Sequence, residues 1–273
     1  MIAQGDSLGQ KSFPIIPVEA GLLAVSQVGL SQFWYSDFGV FTIRNDAHQW
    51  QSMDKFGHIM SAYQVTRANS QLCRIAGLSA KKSKRWSALS TGIFFTGIEV
   101  MDGFSSDYGF SWPDFGANAL GVGLAMLPES AQERFSLRIS FHQTQFAPYR
   151  PEILGKSALE QFFKDYNGQT YWLSFWQEKE DKWYHALGFS LGVGASGMLG
   201  GTFNPSVNEA GQSLPSFERK RELALALDLN LAKLAVGHPK LQSWLRLLDF
   251  VKIPLPTLLW REGAKPVFRG FYY

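Results

Sequence analysis

The sequence predicts an α+β protein, with an N-terminal bundle of about four helices that carries polar motifs in its core, followed by a C-terminal region of antiparallel strands. Two patterns lead to this prediction. Up to about residue 130, apolar residues recur at the three- and four-residue spacing of helices, and after it they alternate at the two-residue spacing of strands. We therefore expect a helical domain over residues 1–130 and a β-rich region over residues 131–273, which packs on the helices or on a membrane.

Four apolar segments predict the helices. The first, residues 17–35, is interrupted by only a few polar residues, as in a buried or interfacial helix. The second runs from about residue 46 to Gly77, which is a suitable C-terminal cap. The third, about residues 82–101, is uncharged over most of its length and is expected to be central or lipid-facing. The fourth begins at Ser111-Trp112-Pro113-Asp114, where serine suits the cap and proline suits the first turn.

Alternating patterns predict the strands. The clearest covers residues 223–231, where every odd position is leucine and the even positions are small or polar. This alternation indicates a strand with one apolar face and one polar face. Further strands, the last two forming a terminal hairpin, are predicted at residues 136–142, 171–176, 185–198, 257–261 and 267–273. Short helices are expected at residues 157–165 and 240–250.

The composition narrows the class of protein. Aromatic residues make up 15 % of the chain and charged residues only 18 %, which favours a protein at a membrane interface over a cytosolic one. A large aromatic core is the alternative explanation. The net charge of +3 is too small to indicate a nucleic-acid partner. The single cysteine, Cys73, allows neither an intramolecular disulfide nor a cysteine-based zinc site.

Three short motifs in the helical half carry polar side chains at helical spacing. They are Asp54-Lys55-x-x-His58, Glu99-x-x-Asp102-Gly103 and Asp114-x-x-x-Asn118-x-x-Gly121. Polar residues three or four positions apart share one face of a helix. The stripe that carries Asp54 and His58 continues through small and apolar residues to Ile75, so both groups are predicted on the buried side. Ionisable groups in an apolar interior need one another, a metal or a ligand.

Two interpretations of these motifs remain open. In the favoured one, a polar core fixes the packing of the helices and needs no cofactor; it consists of Asp54, His58, Glu99, Asp102, Asp114 and Asn118. Lys55 is then expected to neutralise Glu99 or Asp102. In the other, a catalytic site uses Asp54, Lys55, His58 and Glu99. A divalent metal would in that case be held by His58, Glu99 and Asp102.

The motifs at residues 54–58, 97–104 and 110–121 resemble those of the YfiM-like family, which are periplasmic or outer-membrane lipoproteins of Gram-negative bacteria with no established biochemical role. Later segments, such as residues 164–174, are similar to the longer form of this family in Bacteroidota. The layout of the three motifs over residues 54–125 is also similar to that of the VanZ family, helical membrane proteins associated with glycopeptide resistance. The resemblance implies a place in the cell envelope and a shared polar helix core, but no reaction.

We therefore expect a non-enzymatic, outer-membrane-associated protein on the periplasmic side of the outer membrane. Its expected partners are membrane lipid or an outer-membrane protein complex, and no nucleic acid. The alternative is a metal-assisted hydrolase or transferase that acts on a lipid-linked or cell-wall substrate, with His58 as the general base. The sequence patterns do not decide whether the chain is an enzyme.

Overall fold

The computed structural model describes residues 15–35, 37–178, 182–208, 210–235 and 237–272. Its N-terminal half is helical, and the long helices are α1 (Ile15–Trp34), α2 (Met53–Ile75), α3 (Ala80–Phe104) and α4 (Trp112–Ala125). A six-stranded antiparallel sheet occupies the C-terminal half. The predicted fold class is therefore confirmed. Residues 1–14 of the predicted helical domain, and Tyr273 of the last predicted strand, lie outside the described residues.

The sheet is a meander in which each strand pairs with its neighbours in sequence. Its strands are β1 (Phe135–Phe141), β2 (Gln169–Trp176), β3 (Leu187–Ser196), β4 (Lys220–Leu229), β5 (Leu255–Arg261) and β6 (Val267–Tyr272). Short helices lie in the connections: α5 (Glu129–Gln132), α6 (Pro151–Leu154), α7 (Ala158–Lys164), α8 (Leu231–Leu234) and α9 (Pro239–Leu245). Each strand lies within three residues of the start predicted from alternation, because that pattern reports the pleat directly.

Local sequence explains several helix ends. The hydroxyl groups of Ser79, Ser111 and Ser157 cap α3, α4 and α7 by accepting a hydrogen bond from the amide three residues later. At the end of α2, Gly77 has a φ of +95°, which a residue with a side chain rarely adopts. The start of α2 differs from the prediction, since the helix begins at Met53 and not near residue 46. Residues 50–52 adopt positive φ angles of 50–65°, so the backbone is not helical there.

Helix α2 packs on both halves of the protein. On one side Met53 and Met60 form a buried cluster with Tyr171 of β2. On another side Ala62 packs with Phe94 and Phe95 of α3. Because α2 is covered from two directions, its buried residues do not form a single stripe. Ionisable groups on this helix can therefore be buried against α3 and α4 while apolar residues face the sheet.

A close crossing between α2 and α4 depends on Gly121. A Cβ atom at this position would lie 2.4 Å from the carbonyl oxygen of Ile59 and 3.0 Å from the amide nitrogen of Tyr63. Gly121→Ala should therefore force the helices apart and lower the free energy of unfolding by about 1–3 kcal/mol. Gly123→Ala, where a Cβ meets nothing within 4 Å, should raise it by up to about 1 kcal/mol through helix propensity. Thermal unfolding of both variants measures the difference, and equal effects would show that the crossing is not tight.

Several helices expose apolar side chains. On α1 these include Leu22, Val25 and Val28, and on α3 they include Leu89 and Ile93. None of the helices within the described ranges is both long enough and apolar enough to cross a membrane.

Candidate functional site

Lys55 lies at the centre of an ion-pair cluster near the start of α2. Its Nζ is 2.6 Å from Asp46 Oδ1, 2.9 Å from Asp54 Oδ2 and 2.7 Å from Asp114 Oδ1. Burial alone would lower the pKa of Lys55, but its hydrogen bonds to Asp114 and Asp46 raise the pKa above its usual value. The ammonium group is therefore charged at neutral pH. Its ion-pair partners are these three aspartates and not Glu99 or Asp102, the partners expected from the sequence.

The cap of α4 connects two of these carboxylates. Ser111 Oγ accepts a hydrogen bond of 3.1 Å from the Asp114 amide and donates one of 2.6 Å to Asp46 Oδ1. Burial works to raise the pKa of Asp46, yet the hydrogen bonds from Lys55 and Ser111 bring it below its ordinary value. Burial raises the pKa of Asp54 to about 6, partly offset by Lys55. The carboxylates thus differ in how well the cluster stabilises their charge.

His58 is joined to Glu99 through an amide. Its Nδ1 is 3.1 Å from Asn118 Oδ1, and Asn118 Nδ2 donates a 2.9 Å hydrogen bond to Glu99 Oε1. Because the amide donates through its nitrogen, its oxygen accepts from His58, and Nδ1 carries the proton. Burial lowers the pKa of His58, an effect that the charge of Asp114 partly offsets. The imidazole is therefore neutral, and its Nε2 lone pair lies 3.5 Å from Asp114 Oδ1.

Glu99 is a fully buried carboxyl group on α3, with 0 % of its surface exposed. Its Oε1 accepts from Asn118, whereas its Oε2 has no hydrogen-bond partner among the described residues. Burial, together with the charges of Asp114 and Asp102, raises the pKa of Glu99 to about 8. Buried carboxylate oxygens are nearly always hydrogen-bonded in proteins. The position therefore favours a proton or a cation at Oε2.

Two groups of side chains are close enough to hold an ion. In one, a ligand atom from each of His58, Glu99 and Asp114 lies within 4.8 Å of the other two. In the other, the same holds for Asp46, Asp54 and Asp114, which are the three partners of the Lys55 ammonium group. The ammonium group of Lys55 thus already neutralises part of the negative charge of the second group. Only the first group contains an imidazole nitrogen, the ligand that borderline transition metals prefer.

Asp102 takes a different position from the one predicted. It was expected to be a metal ligand with His58 and Glu99. Among the described residues, however, neither of the two groups that are close enough to hold an ion includes Asp102. Tyr35 Oη donates a 2.6 Å hydrogen bond to Asp102 Oδ1 instead. Burial raises the pKa of Asp102 to about 7. The structure brings Asp114 to His58 and Glu99 in its place, while the catalytic and metal-binding roles of these residues stay predictions.

The sequence did not predict the polar contacts of several residues in the helical half, among them Asp46, Tyr35 and Glu19. Asp46 escaped notice because it was assigned to the start of a helix, and Tyr35 because nothing in the sequence distinguishes it from other aromatic residues. Glu19 is buried on α1 and accepts hydrogen bonds from Trp86 Nε1 at 2.6 Å and Ser90 Oγ at 2.8 Å. A lone acidic residue within an apolar segment was a signal that could have identified it.

A second ionic network fills the inner face of the sheet. Arg138 on β1 is only 2 % exposed and donates to Asp228 at 2.9 Å and also to Asp249. Its guanidinium lies 4.4 Å from the centre of the Trp176 ring. Asp249 also accepts a 3.1 Å hydrogen bond from Arg67 on α2. This network therefore ties the helical half to the sheet.

Two cavities lie away from the Lys55 cluster. The larger, about 580 Å³, is at one end of the sheet, and its lining includes His142, Glu222 and Arg261. The smaller, about 100 Å³, lies between helices α2, α4, α5 and α8, and its lining includes Arg74 and Lys233. Neither is lined by His58, Glu99 or Asp114. Near the cluster, the carboxyl groups of Asp54, Glu99 and Asp114 are buried, whereas the side chain of His58 is 23 % exposed.

Comparison with known proteins gives one match. No curated protein matches the chain, and no solved structure matches it. Residues 41–130 match the model of a family described as "predicted periplasmic lipoprotein (DUF2279)". The matched segment covers about a third of the chain and contains the whole Lys55 cluster with His58 and Glu99, but none of the sheet. That description is compatible with a place in the cell envelope and with a lipoprotein family of unknown function.

Proposed function

We propose that this chain is a non-enzymatic structural or accessory component of the cell envelope, held on the periplasmic side of the outer membrane by its exposed apolar faces. Membrane lipid, or an outer-membrane protein complex, is its proposed partner. The finer assignment, to the YfiM-like lipoproteins in their longer Bacteroidota form with a VanZ-like motif layout, rests on the three motifs around residues 54, 99 and 114. The match of residues 41–130 supports only the coarser assignment to a lipoprotein family.

The main support for this proposal is that strands β3 and β4 carry their apolar side chains outside and their polar side chains inside. The outward residues are 38–59 % exposed: Leu187, Phe189, Leu191, Leu223, Leu225 and Leu227. The inward residues are at most 6 % exposed: Ser190, Glu222, Ala224, Ala226 and Asp228. A sheet with one face in water normally has the opposite arrangement. A contiguous exposed apolar face of this kind marks a surface that contacts lipid or a partner.

The pairing of the strands makes this surface continuous. Phe189 on β3 is paired with Leu227 on β4 and with Phe175 on β2, and Leu191 is paired with Leu225. Side chains at paired positions on one face are in contact across the strands. The exposed side chains therefore form one continuous patch. Such a patch suits contact with an extended apolar surface such as a bilayer.

The Lys55 cluster supports a packing role for the helical half. Its lysine bridges carboxylates from the segment before α2, from α2 itself and from α4. Asn118 then links α4 to Glu99 on α3. Buried polar groups that pair with one another in this way fix the arrangement of helices. We infer that the cluster keeps the helices in register without reacting with a substrate.

Binding to lipid vesicles tests the membrane assignment. Purified full-length chain should float with vesicles of phosphatidylethanolamine and phosphatidylglycerol. Replacing Leu223, Leu225 and Leu227 together by serine should lower the bound fraction at least about tenfold, because each half-exposed leucine contributes roughly 0.5–1 kcal/mol on transfer to lipid. In cells, the chain should fractionate with the outer membrane on a density gradient.

A matched triple variant controls for general loss of hydrophobicity. Leu159, Leu241 and Leu248 are as exposed as the three sheet leucines but lie outside the sheet. Their replacement by serine should leave vesicle binding nearly unchanged. An equal loss of vesicle binding in both variants would show that the sheet face is not the membrane-binding surface. Full recovery of the wild-type chain in the soluble fraction at low salt would overturn membrane attachment itself.

A second candidate is a metal-assisted hydrolase or transferase that acts on a lipid-linked or cell-wall substrate. The observation that favours it is the neutral His58, whose Nε2 faces Asp114 while its Nδ1 is held by Asn118. An imidazole oriented in this way suits a general base or a metal ligand. Its side chain is 23 % exposed, so a reacting group can reach it. A chain that binds no divalent metal would exclude this candidate.

A further inference from the structure

We infer that His58, Glu99 and Asp114 form a binding site for one divalent transition-metal ion, with Asn118 as the residue that orients the imidazole. The inference goes beyond the structural role proposed above and is independent of membrane attachment. It differs from the sequence-based ligand set in one residue, because Asp114 replaces Asp102 as the third ligand.

The spacing of the ligand atoms fits a metal ion. One ligand atom from each of His58, Glu99 and Asp114 lies within 4.8 Å of the other two, and the pair His58 Nε2 and Asp114 Oδ1 is 3.5 Å apart. Zinc lies about 2.0–2.2 Å from nitrogen and oxygen ligands, which puts two ligands of a tetrahedral ion about 3.4 Å apart. The His58–Asp114 pair therefore already has the spacing of two ligands, and a side-chain movement of Glu99 toward this pair completes the set.

The hydrogen bonds prepare His58 as a ligand. Metal-binding histidines almost always donate their second N–H to a carbonyl or carboxylate, which fixes the tautomer and the ring. Here Nδ1–H donates to Asn118 Oδ1, and Asn118 is in turn bonded to Glu99. The lone pair on Nε2 then faces a carboxylate oxygen of Asp114 at 3.5 Å. Two acceptors that face each other in a buried site repel unless a cation or a proton lies between them, and Lys55 Nζ, 2.7 Å from this oxygen, supplies part of the required positive charge.

Charge and hydrogen bonding independently point to a cation. Four carboxyl groups, those of Asp46, Asp54, Asp114 and Glu99, lie around the single ammonium group of Lys55 and the neutral His58. Ionising all four would leave an excess of three negative charges in the interior, which either bound protons or a divalent ion can remove. Glu99 Oε2 is one of the buried oxygens without a hydrogen-bond partner among the described residues, and Glu99 belongs to this group.

The ligand types select the class of ion. One imidazole with two carboxylates suits zinc or manganese, whereas magnesium and calcium prefer oxygen ligands only. The partial exposure of His58 provides a route for the ion from solvent. Zinc is therefore the probe with the highest expected affinity, and magnesium is the comparison ion.

Calorimetric titration of the metal-stripped full chain in detergent tests the site. We expect one equivalent of Zn²⁺ to bind saturably, with a rise in the melting temperature, and Mg²⁺ to bind at least about 100-fold more weakly. Substituting Co²⁺ should give visible ligand-field absorption with the same stoichiometry. Absence of saturable binding, or binding of Mg²⁺ as tightly as Zn²⁺, would overturn the site.

Four variants locate the ion. Glu99→Gln and Asp114→Asn should each weaken Zn²⁺ binding about 100-fold or more, and Asn118→Ala about 10–100-fold. Asp102→Asn, which lies one turn from Glu99 but outside the site, should bind as the wild type does. Unchanged binding in Glu99→Gln and Asp114→Asn, or loss only in Asp102→Asn, contradicts the assignment. Circular dichroism without metal tests whether each variant is folded. If one of them fails to fold, His58→Gln takes its place and should likewise weaken Zn²⁺ binding.

Discussion

Replacing Lys55 with methionine should lower the free energy of unfolding by about 3–5 kcal/mol, the usual result of removing one partner from a buried ion pair. Methionine keeps most of the length of the side chain but lacks the ammonium group that lies 2.6–2.9 Å from Asp46, Asp54 and Asp114. Three carboxylates would then share a largely buried site without a counter-charge. Denaturant unfolding in detergent, followed by circular dichroism, measures the loss.

The loss caused by Lys55→Met should increase with pH. Without the ammonium group, the carboxyl groups avoid repulsion by keeping their protons, which raises their pKa values in the folded state. A carboxyl group with a raised folded-state pKa loses stability as the pH rises from its unfolded pKa to its folded pKa. Asp54 already has a pKa of about 6 with Lys55 present. We therefore expect a larger loss at pH 8 than at pH 5.

Two further variants show whether the effect comes from charge. Lys82→Met removes an exposed lysine from the first turn of α3 and should leave the unfolding free energy almost unchanged. Adding Asp54→Asn to Lys55→Met should restore part of the lost stability, because one of the unpaired charges disappears. If Lys55→Met proved no more destabilising than Lys82→Met, the cluster would contribute nothing to the packing of the helices.

Strand positions could be predicted well because alternation follows directly from the pleat. The leucines at odd positions of residues 223–231 predicted a strand, and β4 covers Lys220–Leu229. Alternation cannot tell which face points inwards, since both faces obey the same period. The leucine face of β4 is outside and its polar face is inside, where Asp228 pairs with the buried Arg138. Glu222 pairs with Arg261, whose side chain is 46 % exposed.

The burial of α2 could be predicted only in part. The stripe through Asp54 and His58 was expected to be buried as far as Ile75, yet Ser61, Leu72 and Ile75 are exposed. The prediction assumed one buried face, whereas α2 packs on α3, α4 and the sheet at once. Spacing along a helix does not reveal how many neighbours it has.

The composition of the Lys55 cluster shows the same limit. Spacing identified Asp54, His58, Glu99, Asp114 and Asn118, all of which lie in or beside the cluster, because helical periodicity places side chains on a common face. Asp46 is in an irregular segment, where periodicity carries no information. The position of Asp102 depends on Tyr35, a contact 67 residues away in sequence. Long-range partners of this kind require the packing of the helices to be known.

The same reasoning applies to Arg138, which sequence alternation would assign to a solvated face of β1. Replacing Arg138 with methionine should lower the free energy of unfolding by about 3–5 kcal/mol, because Asp228 and Asp249 would stay buried without their shared cation. Arg138→Lys should recover only part of this loss, since a single ammonium group cannot bridge two carboxylates as the planar guanidinium does. Denaturant unfolding, followed by circular dichroism, again provides the measurement.

Arg134 provides the matched control, four residues before Arg138 in the chain. Its ion pair with Glu178 is exposed, with 62 % of the arginine side chain and 47 % of the glutamate side chain accessible. Arg134→Met should therefore cost less than about 1 kcal/mol. Because Asp249 also binds Arg67 of α2, the loss in Arg138→Met should weaken the attachment of the helices to the sheet, not only the sheet. Equal effects of the two substitutions would mean that Arg138 contributes no more than an exposed ion pair and that the inner face of the sheet is hydrated.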